Sequence, residues 1–285
     1  MGQALWKINT NNIEKNLEKN LDKNTKQNNA VTKFQDLQNL PPELGLAVLS
    51  HLNATDLCLA ACVWDNLAND ELLWMGLCKD SWGYVSIYKR IQNQKVSFKN
   101  LYMILDEASL TFNGDAFEGE EYLFRQGLVE NSPMEIAKFL HLTKKIKPSK
   151  KREYLNQRRD VLDKLVHLQN FEMQFLPNAL RNLFGTISAP EQRGGLLTEM
   201  MEKFSERFCL CNPNLGLSKD TVFVLCFSLI MLSVDLTSPA VKNKMSKREF
   251  IKNTKRAALG VDEDFAGHLY DNIYLIGHVA REDTD

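Results

Sequence analysis

The longest apolar run in the chain places the strongest limit on its fold. The eleven residues from Val222 to Leu232 are apolar except for Ser228. This run is well short of the roughly 18 to 20 residues that an α-helix needs to cross a bilayer. It therefore predicts a buried helix and no transmembrane segment.

Apolar residues recur at helical spacing along most of the chain after residue 37. No stretch shows the alternation of apolar and polar residues, bounded by hairpin turns, that is typical of a β-strand. The sequence therefore predicts an all-α protein. A turn is expected at residues 112–115, and later helices are expected at about 151–156, 160–168, 176–184, 196–208, 220–236, 247–257 and 262–274.

The overall composition excludes several classes of protein. With 35 basic and 36 acidic side chains the formal net charge is -1, so no global charge favours binding to nucleic acid or to an acidic membrane. Six cysteines in a chain that starts without an apolar secretory signal indicate reduced intracellular thiols. The Cys58-x3-Cys62 and Cys209-x-Cys211 spacings have no His close to them, so we expect no metal and no cofactor.

Residues 1–34 form a leader that is rich in Asn and Lys and has a four-residue rhythm. Its apolar residues Ile13, Leu17 and Leu21 would share one helical face, so a helix induced by a partner is one interpretation. Three apolar side chains bury too little surface to offset the entropy of ordering the chain. The composition therefore favours a disordered leader.

Six basic residues fall among the nine positions from Lys144 to Arg152. Such a cluster is compatible with a nuclear address or with a phospholipid contact. A solvated loop between helices is the favoured interpretation, because the rest of the chain adds no net basic field.

Three short amphipathic helices are predicted between residues 40 and 78, in a unit that is marginally stable alone. Its pattern resembles an F-box over Leu40-Pro41-x-Glu43-Leu44, Val48-Leu49, Leu52, Asp56-Leu57, Trp64, Leu67-Ala68, Asp70 and Leu73-Trp74-x-x-Leu77. The resemblance implies that these helices bind a Skp-type adaptor and so join a cullin ubiquitin ligase. A helix-in-groove contact would bury apolar anchors that the unit cannot cover alone. The expected adaptor-binding residues, some of which would also serve as core, are Leu40, Pro41, Leu44, Leu49, Leu52, Leu57 and Trp74.

A second pattern reads Phe208-Cys209-x-Cys211-Asn212-Pro213, Asp220-Thr221-x-Phe223-Val224-Leu225-x-Phe227, Asp235-Leu236, Pro239-x-Val241-Lys242-x-Lys244-Met245 and Phe250-Ile251. It resembles a Sec-7-type domain over about residues 112 to 275. The resemblance implies a right-handed superhelix of about ten helices that contacts an Arf-family GTPase, on which such domains drive nucleotide exchange. It assigns the GTPase groove to Phe227, Met231, Asp235, Leu236, Lys242 and Met245.

The exchange reaction depends on one loop, which here reads Ala189-Pro190-Glu191-Gln192-Arg193-Gly194-Gly195. In active members of the family this loop presents a glutamate that displaces magnesium and crowds the β-phosphate of the bound nucleotide. Aligning the loop with the family pattern on Pro190 puts Gln192 at that position, and aligning it without a gap back from Phe204 puts Arg193 there. Neither alignment supplies the acid. Glu191 and Gln192 are the candidate catalytic residues, because Glu191 would restore the acid if the loop shifts by one residue, whereas a neutral Gln192 cannot repel phosphate.

These patterns predict a leader at 1–34, an F-box with linker helices at 35–105 and a Sec-7-like domain at 106–285. We expect a substrate-recognition adaptor of a Skp-cullin-F-box ubiquitin ligase whose Sec-7-like domain binds an Arf-family GTPase. The alternative is an active exchange factor that uses Glu191, and a helical scaffold without GTPase contact is a third hypothesis. No hydrolase or transferase motif is found. The expected location is the cytoplasm, with transient membrane contact through Arf.

Overall fold

The computed structural model describes residues 36–91, 97–190, 194–258 and 260–280. In these four ranges the regular elements are helices, and extended pairing is limited to an isolated bridge between Trp82 and Thr143. The all-α prediction is confirmed. The leader predicted at residues 1–34 lies outside the described residues.

The chain divides into two compact units between Leu73 and Trp74. After a 3-10 turn at Leu37–Asn39, the first unit contains α1 Pro42–Leu49, α2 Ala54–Ala60 and α3 Asp65–Ala68, and α4 Glu71–Ser81 contains the division. The second unit continues with α5 Tyr88–Ile91, α6 Phe98–Gly114, α7 Ala116–Arg125, α8 Pro133–Leu142, α9 Pro148–Gln157, α10 Arg159–Leu168, α11 Leu176–Thr186, α12 Gly195–Cys211, α13 Lys219–Thr237, α14 Lys247–Ala257 and α15 Glu263–Ile276. Ten helices, α6 to α15, therefore lie between residues 98 and 276 in the described ranges. The predicted boundary between residues 105 and 106 falls inside α6.

Most helices of the second unit start at a polar side chain that accepts from the first free backbone N–H groups. The Ser218 hydroxyl accepts from the N–H of Thr221 at the start of α13. At α14, Ser246 and Glu249 form a reciprocal capping box. Asp115 caps α7 by accepting from the N–H groups of Phe117 and Glu118.

The turn predicted at residues 112–115 is wrong for its first three positions. Helix α6 continues to Gly114, and the side chain of Phe112, which lies within this helix, is buried. The reason is that Leu105, Ala108 and Phe112 extend one apolar face at helical spacing. Packing of that face outweighs the turn propensity of Asn113-Gly114, so the chain turns only at Asp115.

Helix α13 holds the core of the second unit together. Its residues Val222, Leu225 and Leu229 are fully buried, and α11, α12, α14 and α15 pack against it. The predicted buried helix is therefore confirmed for one face. Within the described residues α13 is also long and apolar enough to cross a membrane by length and composition, a test that core helices pass as well.

The basic cluster from Lys144 to Arg152 is not a solvated loop throughout, because α9 begins at Pro148 within it. Lys151 is buried, its ammonium donates to the carbonyl oxygen of Thr143 at 3.2 Å, and its burial lowers its pKa to about 8. Three other lysines of the cluster form ion pairs with carboxylates, in the pairs Lys144–Asp80, Lys145–Asp106 and Lys150–Glu153.

Candidate partner-binding surfaces

The first unit exposes several large apolar side chains. On α1, Leu44 and Val48 stand one helical turn apart, while Leu49 points into the core. Leu59 lies in α2, and Val63 follows four positions later, just after the helix ends. Each of these four side chains is more than half exposed. The small core between the three helices cannot cover both faces of each helix, so this surface is available to a partner.

The predicted adaptor-binding residues fall into two groups. Pro41 and Leu44 are exposed, and Leu40 and Leu52 are half-buried. By contrast, Leu49, Leu57 and Trp74 are buried. Trp74 itself belongs to the second unit, where its ring packs edge-on against Tyr102, with the centroids 5.6 Å apart. The last three residues serve as core in this structure, and adaptor contact by the set remains a prediction.

Sequence reasoning left Val48, Leu59 and Val63 out of the adaptor-binding set. The signal was present as spacing, because each of the pairs Leu44–Val48 and Leu59–Val63 is separated by four residues. These side chains are exposed, whereas Leu49 and Leu57 on the same two helices are buried. The sequence alone did not determine which of the two faces was core.

The second candidate surface is the outer face of α13. Met231 is 52% exposed, and Val234, one turn further on, is also exposed. Phe227 is half-buried and packs edge-on against Phe223, with ring centroids 5.1 Å apart. These residues form an apolar stripe near the C-terminal end of the helix, which is the part assigned to the GTPase groove.

Asp235 holds the segment that follows α13 rather than standing free on the surface. Its carboxylate accepts from the backbone N–H of Met245 at 2.7 Å. The Lys244 ammonium donates to the carbonyl oxygen of Asp235 at 2.7 Å. Its positive charge also interacts favourably with the negative, C-terminal end of the helix dipole. The Tyr270 hydroxyl donates to the carbonyl oxygen of Met245 at 2.9 Å. Together these contacts fix the segment between α13 and α14.

The remaining groove residues are placed less centrally. Leu236 and Met245 are half-buried, and Lys242 is exposed in the segment that Asp235 holds. The structure thus brings Met231, Asp235 and Met245 to one end of α13, while the contact of all six residues with a GTPase remains a prediction.

The candidate catalytic residues Glu191 and Gln192 lie outside the described residues. On the N-terminal side, the carbonyl oxygen of Ala189 accepts from the guanidinium of Arg152 at 2.7 Å. On the C-terminal side, Gly194 is the N-cap of α12, without a capping side chain. A polar cleft of about 470 Å³ adjoins both flanks and is lined by Ser149, Lys150, Arg152, Glu153, Asn156, Arg159, Pro190, Gly194, Gly195 and Leu196. The roles assigned to Glu191 and Gln192 remain predictions.

Within the ranges that the structure describes, no group of three or more His, Cys, Asp or Glu side chains is arranged to hold a metal ion. The buried thiol of Cys226 has its pKa raised by desolvation, so it is not activated as a nucleophile. The two apolar surfaces described above are the candidate sites, and both are suited to binding a protein partner.

Comparison with known families defines the class of protein. The family model for the Sec7 domain matches residues 102–275, and the model described as F-box-like matches residues 37–80. The crystal structure of the Sec7p catalytic domain is 31% identical and superimposes with a TM-score of 0.55, covering 59% of this chain and 95% of that one. A Sec7 domain bound to ARF1-GDP and brefeldin A shares the fold at 24% identity with a TM-score of 0.56, covering 60% of this chain and 90% of that one. Both predicted resemblances are confirmed, and this is a Sec7 domain protein with an F-box-like region.

Some relatives are similar to this chain over both the F-box-like region and the Sec7 domain. F-box only protein 8 of Homo sapiens is 62% identical over 251 residues, which cover 87% of this chain and 79% of that protein. Brefeldin A-inhibited guanine nucleotide-exchange protein 1 of Arabidopsis thaliana is 34% identical over 184 residues, covering 62% of this chain and 11% of that protein. The chain belongs to the F-box only protein 8 family.

Proposed function

We propose that this protein is a substrate-recognition adaptor of a Skp-cullin-F-box ubiquitin ligase, and that its Sec7 domain binds an Arf-family GTPase as a docking surface. The observation that carries the proposal is an apolar outer face on α13 in a chain whose loop sequence at residues 189–195 has no acid at the position that the resemblance assigns to exchange. Its location would be the cytoplasm, with transient access to membranes through Arf.

The adaptor half of the proposal rests on the first unit. A helical unit that matches the F-box-like model leaves Leu44, Val48, Leu59 and Val63 more than half exposed. An apolar surface of this kind on a small unit is typical of an interface with a protein groove. Anchors of this size supply most of the binding energy where they are fully buried against a partner.

Replacing Leu44 and Val48 together by Ser is expected to weaken binding to a purified Skp-type adaptor by more than about tenfold, because both apolar anchors are lost. The fold should persist, since both side chains are exposed. Binding is measured by calorimetry with the full chain. The double substitution Met103→Ser and Leu110→Ser removes two exposed apolar side chains from α6 and should leave the affinity unchanged. Equal losses in both variants, or none in either, would refute the adaptor surface.

The GTPase half rests on the Sec7 domain. In the solved complex named above, a domain of the same fold binds ARF1-GDP. In this chain the Met231 and Val234 side chains are exposed at the end of α13, and Asp235 fixes the adjoining segment through Met245. A rigid apolar stripe with a fixed border supports docking of a partner, because little conformational entropy is lost on binding.

The loop that the resemblance assigns to nucleotide exchange differs in this chain from the pattern of active exchange factors. A glutamate in the nucleotide site would repel the phosphates and compete for magnesium, and losing one such preorganised group costs roughly 3 to 4 kcal/mol in the transition state. Gln192 carries no charge to do this. Glu191 next to it supports the alternative function, an active exchange factor, because the flanking Gly194-Gly195 permits a shift of one residue.

Release of fluorescent GDP from magnesium-loaded Arf proteins separates the two functions. We expect no acceleration by the native full chain, and acceleration by Gln192→Glu because the variant supplies the missing carboxylate. Adding Met231→Glu to that variant should abolish the gain, since it places a charge in the apolar stripe. Native acceleration that Glu191→Ala removes would instead establish the exchange factor. If neither the native chain nor Gln192→Glu acts on or binds any Arf, GTPase docking is excluded.

A further inference from the structure

Helix α14 carries a concentrated positive charge that neither partner surface uses. Five basic side chains and one acidic side chain, Glu249, lie within this helix, Lys247–Ala257. Arg248, Lys252 and Arg256 are spaced four residues apart, so they lie on one face of α14, and all three are exposed. Among the described residues no hydrogen bond or ion pair satisfies them, and Glu249 is used in the capping box with Ser246.

The neighbouring lysines of α14 are paired with α15 and fix how the two helices pack. Lys247, at the start of α14, pairs with Asp271 at 2.6 Å, near the end of α15. Lys255, near the end of α14, pairs with Glu263 at the start of α15. The two helices therefore run antiparallel. An open, basic groove of about 740 Å³ follows α14 and is lined by Lys247, Arg248, Ile251, Lys252, Lys255, Arg256 and Glu263.

The C-terminal end of α15 exposes three consecutive large apolar side chains, Tyr274, Leu275 and Ile276, at 68%, 78% and 59%. This apolar tip lies about one helical turn beyond Asp271, the partner of Lys247, so it adjoins the N-terminal end of the basic face.

The apolar tip is held firmly although its side chains are exposed. The guanidinium of Arg181 donates to the carbonyl oxygen of Gly277 at 2.7 Å and to the side-chain oxygen of Asn272 at 2.7 Å. Val279, just after the tip, is fully buried. The helix end is thus anchored on both sides of the tip, and its exposure is a stable property of the fold.

We propose that the basic face of α14 and the apolar tip of α15 dock on the surface of a bilayer that contains anionic phospholipids. Basic side chains near such a surface are each attracted by roughly 1 kcal/mol, and their attraction does not require specific geometry. Apolar and aromatic side chains beside them bury themselves at the boundary between headgroups and acyl chains. Arg248, Lys252 and Arg256 supply the first contribution, and the tip supplies the second.

Charge decides between this partner and a second copy of the chain. A symmetric contact between two copies would oppose the same patch to itself, bringing Arg248, Lys252 and Arg256 against like charges. A bilayer with anionic headgroups complements both parts of the surface at once. The other basic segment, from Lys144 to Arg152, lacks this character because three of its lysines are paired with carboxylates.

Co-sedimentation of the full chain with vesicles tests the inference. We expect the native protein to bind vesicles of phosphatidylcholine containing about a third phosphatidylserine, not pure phosphatidylcholine, and to be released by salt. The triple substitution Arg248→Ala, Lys252→Ala and Arg256→Ala should lower the partition coefficient at least about tenfold. Leu275→Ser with Ile276→Ser should lower it as well, although the charge is unchanged.

A triple substitution of Lys144, Lys147 and Lys150 by Ala removes the same charge elsewhere and should bind like the native protein. Circular dichroism and thermal melting confirm that each variant is folded. Equal losses in the two triple variants, or no vesicle binding by the native chain, would overturn the proposal. So would a native dimer in light scattering that Leu275→Ser with Ile276→Ser dissociates. The vesicles carry no GTPase, so the outcome is independent of Arf docking.

Discussion

Replacing Gly119 by Ala is expected to destabilise the protein by about 3 kcal/mol, the upper end of the cost of inserting one methyl group into a packed interior. Helices α6 and α7 are in close contact where Gly119 faces Phe112. A Cβ atom at Gly119 would lie 2.4 Å from the Cα atom of Phe112 and 2.6 Å from its backbone nitrogen. Backbone atoms cannot rotate away as a side chain does, so the two helices must separate. The gain in helix propensity, about 1 kcal/mol, offsets only part of this cost.

Urea unfolding followed by circular dichroism measures the effect as a lower midpoint. Gly76→Ala is the matched control, because Gly76 lies in the interior of α4, is exposed, and a Cβ atom added there would meet no neighbouring atom within 4 Å. There the same substitution should be neutral or stabilise by up to about 1 kcal/mol. If Gly119→Ala and Gly76→Ala change the midpoint alike, close helix contact at Gly119 does not limit stability.

Helix positions in the second unit are largely predictable, because apolar spacing and capping residues both mark them. The helix expected at 220–236 is observed at Lys219–Thr237, and the one expected at 247–257 is observed at Lys247–Ala257. The failure at residues 112–115 is equally physical. Asn113 and Gly114 have strong turn propensity, yet Phe112 gains more by packing in the core as part of α6.

The candidate sites were less predictable, because their properties depend on contacts between distant residues. Trp74 fits the F-box pattern, but its burial follows from a ring contact with Tyr102, 28 positions away in sequence. Lys151 stands in a basic run that predicts exposure to solvent, whereas packing of α9 buries it and lowers its pKa. Asp235 fits the pattern of the GTPase groove, and only the folded structure shows that its carboxylate accepts from Met245.

Replacing Glu135 by Ala is expected to cost about 3 kcal/mol, because it removes the acceptor of a buried, charged cluster. Glu135 is 7% exposed, and its carboxylate accepts from the hydroxyls of Tyr84 and of Ser86, the latter at 3.0 Å. Its ion pairs with Lys138 at 3.0 Å and Lys89 at 3.2 Å contribute less, since both lysines are partly exposed. The cluster fastens the segment before α5 to the first turn of α8, so its loss should release that segment.

The same carboxylate gives stability a defined dependence on pH. Burial alone would raise the pKa of Glu135, but hydrogen bonds from Tyr84, Lys138, Ser86 and Lys89 lower it to about 2, against an ordinary value of 4.5. Because the folded state binds this proton more weakly than the unfolded state, the contribution is complete above pH 4.5 and is lost as the pH falls towards 2.

Thermal melting of the native chain and of Glu135→Gln, recorded from about pH 6 down to about pH 2.5, isolates this contribution. The variant should melt lower than the native chain at pH 6, and the gap should close as the pH falls. Glu121→Gln is the control, because Glu121 is exposed on α7 and should leave the pH dependence unchanged. A gap that stays constant across the range would mean that the Glu135 charge does not stabilise the fold, and that the variant acts through packing alone.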